Sequence, residues 1–184
     1  MNVSGDRVFD APRATVWQVL NDPESMAKTM PGVESFDVHD DRRWTANVKI
    51  PLGLGGLKMK VDMEKIEERE PEFAKLAVKG NGVGAIMNME TSFTLSDADA
   101  GGTAMAWSAE VKILGPVGSM GQRVLQPIVN QQVQHVLTAL DAQVQEAVRG
   151  GAEPAVHGAE EGISPGSPEA YEADPEGPTT STED

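Results

Sequence analysis

Three histidines, His39, His135 and His157, are the first residues to consider for metal or acid–base chemistry. They share no ligand spacing and the chain has no cysteine, so neither a metal centre nor a thiol nucleophile is expected. The run Glu64-Lys65-Ile66-Glu67-Glu68-Arg69-Glu70 has the character of a charged, solvated strand end and not of a paired-carboxylate site. Gly80-Asn81-Gly82-Val83-Gly84-Ala85 is as rich in glycine as a phosphate loop. It falls between two strand-like segments, however, and lacks a Lys-Ser/Thr ending. The chemistry on offer is apolar binding. Met59, Met63, Met87, Met89 and Met105 take the same inward parity along alternating segments, and unbranched thioethers form an adaptable apolar lining. Gln132 and Gln143 add amides on or beside an apolar helical arc. A buried amide needs a partner, whether backbone, water or a ligand carbonyl.

The elements that would position these residues follow from periodicity. Val3–Asp10 reads as a short strand, and Pro12 then opens a helix with apolar residues at Val16, Trp17, Val19 and Leu20. Asn21-Asp22-Pro23 ends it, and Pro23 starts a second short helix through about Thr29. Alternation of period two then sets Trp44, Ala46, Val48 and Ile50 on one face, as it does Leu57, Met59, Val61 and Met63. The same holds for Met87, Met89, Thr91, Phe93 and Leu95, and for Met105, Trp107, Ala109, Val111 and Ile113. With Val33–Val38 and about Phe73–Lys79 there are seven strands, and clean alternation is the antiparallel condition. A helical stripe of Leu125, Val129, Val133, Val136, Leu140 and Val144 reaches about Arg149, with Pro127 predicting a kink or late start. The fold class is therefore α+β: a curved seven-stranded antiparallel sheet wrapping a long C-terminal helix, with two short helices after the first strand.

Three connections are both glycine-rich and apolar: Ile50–Leu57, Gly80–Met87 and Leu114–Gly121. Alternate turns of an antiparallel meander lie at the same end of the sheet, so these three share one rim. Leu52, Leu54, Val83, Ile86, Val117 and Met120 would form an apolar portal there, or a lid tucked over the core. The expected ligand-binding residues are Trp44, Met59, Val61, Met63, Met87, Met89, Phe93, Met105 and Trp107 from the strands. Leu125, Val129, Gln132, Val133, Val136 and Leu140 join them from the helix. No catalytic or metal-binding set is found on these inward positions.

The net charge of −14 over 184 residues argues against a nucleic-acid binder, and against attachment to anionic lipid mainly through a basic patch. Nine of the 29 acidic residues fall in 150–184, which has no Lys or Arg and only Val156, Ile163 and Tyr171 as large apolar residues. That composition predicts a disordered acidic tail after a domain over 1–149, which retains 20 acidic residues against 15 basic. No apolar run is long enough to span a bilayer, and residues 1–6 do not resemble a secretory leader. The expected setting is cytoplasmic.

Ala11-Pro12, Val16-Trp17, Leu20-Asn21-Asp22-Pro23 and Met30-Pro31-Gly32-Val33-Glu34, with the Val48-Lys49-Ile50 strand and the Gly80–Gly84 segment, carry a resemblance. Over about residues 2–148 the chain resembles the CoxG family, named for carbon monoxide dehydrogenase, of the START-like, or SRPBCC, helix-grip superfamily. Pro-Gly-x-Glu is the more particular part of this signature. Family members often carry Cys after that Pro-Gly, whereas here it is Val33. The resemblance implies a deep hydrophobic cavity between sheet and helix. It also implies association with an aerobic, molybdenum-containing CO dehydrogenase at the inner face of the membrane. Together with the residues this predicts a non-catalytic carrier of an isoprenoid quinone, menaquinone or ubiquinone, with no metal or covalent cofactor. It would be peripheral and transient at the membrane. Three alternatives stand beside it: a recruitment or assembly factor for the dehydrogenase, a general lipid or polyketide binder, and a cyclase or hydrolase with titratable groups in the cavity.

Overall fold

A computed structural model of the protein describes residues 1–52 and 55–151. The expected tail therefore lies outside the described residues, apart from Gly150 and Gly151, which complete the last helix. The chain order is β1 (Asn2–Phe9), α1 (Arg13–Asn21), α2 (Pro23–Thr29), β2 (Val33–Val38), β3 (Arg43–Leu52), β4 (Gly55–Arg69), β5 (Phe73–Gly82), β6 (Ala85–Asp97), β7 (Thr103–Leu114) and α3 (Gln122–Gly151). A single 3-10 turn, Gly118–Met120, precedes α3. The seven strands form one antiparallel sheet in the order β1-β7-β6-β5-β4-β3-β2. Strand and helix count and order agree with the periodicity.

Asp22 serves two helices. Its backbone N–H donates to Gln18 O and closes α1, while its carboxylate accepts the Ser25 N–H at 2.8 Å and caps α2. That hydrogen bond from Ser25 holds the Asp22 pKa below the ordinary carboxylate value. In α3, Pro127 sits at the sixth residue, so the carbonyl that loses a donor is that of Arg123 in the exposed first turn. The helix runs on through Pro127, and the late start is the form the proline effect takes. The ion pair of Arg7 on β1 with Asp141 then ties α3 to the edge of the sheet.

Two boundaries differ from the sequence reading. Gly80–Gly82 belong to β5 and not to a connection, because Gly80 and Gly82 pair with Val61 and Met59 and leave only Val83 and Gly84 to turn. Gly84 has φ +80°, a conformation glycine adopts without strain. Lys65 departs from the solvated strand end assigned to its neighbours. It is buried, reaches Glu68 at 3.1 Å and lies 5.9 Å from the centroid of the Trp44 ring.

Candidate functional site

The concave face of the sheet does not close completely on α3. Between them lies a cavity of about 430 Å³, within the range of ~300–1,000 Å³ typical of small-molecule sites. Its strand wall includes Met59, Val61 and Met63 from β4, Met87, Met89 and Phe93 from β6, and Met105 and Trp107 from β7. Its helical wall includes Leu125, Val129, Gln132, Val133, Val136 and Leu140 from α3. These are the positions where the inward parity and the helical stripe placed them. Trp44 is the exception. It has the inward parity but lies in the solid part of the core, 1% exposed beneath Lys65, and does not reach the cavity. Gln143 is half-buried and also stands outside it.

The sequence reading missed α2 as a wall. Met26, Thr29 and Met30 line the cavity, and the four-residue spacing of the two methionines on one helical face was the available signal. Counting Met26 and Met30, seven of the nine methionines face the cavity. Glycines on β5 make room for them. A Cβ on Gly80 would stand 2.8 Å from Met59 Cε and 3.2 Å from Met87 Cε.

Polar atoms on the wall are few, and two of them lack partners. Trp107 Nε1 and Gln132 Oε1 are buried without a hydrogen bond. The Trp107 indole lies across Gly5 of β1, its register partner, and a Cβ there would come within 3.1–3.2 Å of the ring. The hydroxyls of Thr29 and Thr91, by contrast, are satisfied by Met26 O and Ser108 O. Buried donors and acceptors are normally paired, so this donor and this acceptor on one apolar wall mark where a ligand's polar end would bind. No Asp, Glu, His, Lys or Arg is among the described residues lining the cavity, and no group of three metal-ligating side chains occurs among the described residues.

The three connections do converge at one end of the sheet. Val117, after β7, donates its N–H to Gly84 O in the β5–β6 turn at 2.9 Å. Of the portal residues, Leu52 and Val117 turn inward and line the cavity, whereas Val83, Ile86 and Met120 face solvent. Leu54 lies outside the described residues. The rim is thus part lid and part exposed apolar tip.

Residues 5–145 match the family described as the G-type subunit of carbon monoxide dehydrogenase (CoxG). The chain belongs to that family. No curated protein matches it. Solved structures share the fold at low identity. A conserved protein from Geobacillus kaustophilus is 20% identical with a TM-score of 0.74, over 80% of this chain and 97% of that one. A START superfamily protein from Mycobacterium smegmatis is 14% identical with a TM-score of 0.62, over 79% and 97%. The Zhui aromatase/cyclase from Streptomyces sp. R1128 is 14% identical with a TM-score of 0.63, over 83% and 98%. The helix-grip fold of this CoxG family member is the START-like one. Because that fold also carries a cyclase, the contents of the cavity and not the fold must separate a binder from a catalyst. No helix among the described residues is long and apolar enough to cross a membrane.

Proposed function

We propose that this protein is a non-catalytic carrier that holds an isoprenoid quinone, menaquinone or ubiquinone, in the cavity between sheet and α3. It would move the quinone between the membrane and a molybdenum-containing CO dehydrogenase. One observation carries the reading: a methionine-lined cavity with no titratable group among its described lining residues, and with an unpartnered indole N–H and an unpartnered amide oxygen on its wall. A quinone carbonyl accepts from Trp107 Nε1. The amide of Gln132 can meet either redox state, its oxygen accepting from a quinol hydroxyl or its NH2 donating to a carbonyl. The thioethers of Met59, Met63, Met87 and Met89 then accommodate an apolar tail of variable shape. Leu52 and Val117 carry the lining to the rim, where a tail longer than the cavity would leave.

The lack of an acid, base or nucleophile among those lining residues supports a carrier over a cyclase or hydrolase, which needs such groups at the reacting atoms. The family name supports the dehydrogenase as partner, with the redox chemistry residing there. The decisive experiment loads the protein with quinone, removes free quinone, and adds the dehydrogenase and CO. Conversion of carried quinone to quinol, faster than from an equal amount of quinone in detergent, is the predicted result. No conversion, alongside unchanged binding of the two proteins, would favour a recruitment factor.

A further inference from the structure

The charge of this chain is −14, yet one part of its surface has the opposite sign. Lys49 on β3, Lys58 and Lys60 on β4, Lys79 on β5 and Lys112 on β7 are exposed on the outer face of the sheet, all in the half nearest the rim. Register places Lys49 beside Lys58, and Lys79 and Lys112 on either side of Asn88. At about 3.3 Å per residue, these lysines begin roughly 7–17 Å from the strand ends. Glu34 lies 3.5 Å from Lys58 and Glu110 lies 3.3 Å from Lys112, while Lys49, Lys60 and Lys79 form no ion pair among the described residues. Asp62, Glu64, Glu90 and Glu110 occupy the same face farther from the rim.

Beyond the lysines the strand ends are apolar. Val83 at the β5–β6 turn is 95% exposed, and the cross-strand pair Ile86 and Leu114 is 48% and 54% exposed. Met120 and Val124 extend this tip toward the start of α3, where Arg123 is also exposed. An apolar tip inside a cationic collar matches a bilayer interface with anionic headgroups: apolar side chains enter the acyl boundary while lysines meet phosphates. Net charge does not decide against this. Screening acts over about 8–10 Å in physiological salt, whereas a helix the length of α3 spans about 45 Å, so the acidic far end contributes little at the rim.

We propose that the lysine collar and the Val83–Ile86–Leu114 tip form a docking face for membranes containing anionic phospholipid. This corrects the expectation drawn from overall charge. Its purpose rests on the carrier reading, since docking would bring the rim of the cavity to the bilayer, but its chemistry does not.

The test is co-sedimentation of the full chain with vesicles of phosphatidylcholine alone and of phosphatidylcholine with phosphatidylglycerol. At low salt, binding to the anionic vesicles should be at least tenfold stronger and should fall as salt rises. Lys60→Gln with Lys79→Gln should weaken it by about fivefold per lysine removed, and Val83→Asp should weaken binding independently of salt. Circular dichroism of each variant verifies folding, since all three side chains are exposed. Equal binding to both vesicles, no binding, or unchanged binding by the double-lysine variant overturns the proposal; so does retention of the collar's effect only with an acidic protein. Quinone content measured on the same samples separates the two readings. Quinone without vesicle selectivity overturns the docking face alone, and vesicle selectivity without quinone overturns the carrier alone.

Discussion

Gly80 on β5 and Met59 on β4 are a matched pair: a Cβ on the glycine would stand 2.8 Å from the methionine Cε. The missing side chain is space that Met59 occupies, and with it Met87, whose Cε would be 3.2 Å away. A glycine that looked like part of a turn is a strand residue that shapes the cavity.

Gly80→Ala therefore pushes the ends of two flexible methionines into the cavity without disturbing the backbone. Alanine in a strand interior is favoured over glycine by roughly 0.5–1 kcal/mol, which offsets the methionine shift. The expected result is an unchanged or slightly raised Tm with quinone affinity reduced about tenfold. Tryptophan fluorescence titration and thermal melts measure the two separately.

Trp107→Phe keeps an aromatic ring against Gly5 and removes the unpartnered N–H. A neutral hydrogen bond contributes about 0.5–1.5 kcal/mol, so quinone should bind roughly threefold to tenfold more weakly. Stability of the empty protein should not fall, because the lost donor had no partner. Unchanged affinity would remove the indole from the ligand's polar contacts.

Gln132→Leu makes the same comparison from the helix. Replacing an unsatisfied amide on an apolar wall with an apolar side chain of similar size should raise the Tm slightly, while quinone affinity falls. A lower Tm with unaltered affinity would assign Gln132 to packing.

The strands and α3 were legible because alternation and helical periodicity report directly which face is buried. The methionines on β4, β6 and β7 came to the cavity for that reason. Trp44 did not, because parity says which face a residue is on and not whether the opposing layer fills the space above it. Met26 and Met30 escaped notice because α2 is only seven residues long, too short for a periodic signal to stand out. The lysine collar was invisible for a different reason. Lys49, Lys58, Lys60, Lys79 and Lys112 are spread over four strands, and only register assembles them on one face.

Asp22 gives a pH signature for the helix that supplies Met26 and Met30. Its carboxylate pKa is lowered, chiefly by the hydrogen bond from Ser25, so its stabilisation is complete above the ordinary carboxylate value, about pH 4. It is lost as pH falls through the lower folded-state value. Asp22→Ala should thus reduce stability by about 1 kcal/mol at pH 7, a typical helix-cap contribution, and by progressively less in acid. Paired melts of both proteins across pH 2–7 measure the difference, and a gap that persists at the acid end would contradict the capping role.

Mass spectrometry of an organic extract of the purified full-length protein tests the central claim most directly. The carrier reading predicts an isoprenoid quinone near one per chain, either as purified or after incubation with quinone-loaded liposomes. An extract that holds phospholipid or fatty acid but no quinone, or that stays empty after that incubation, would contradict it.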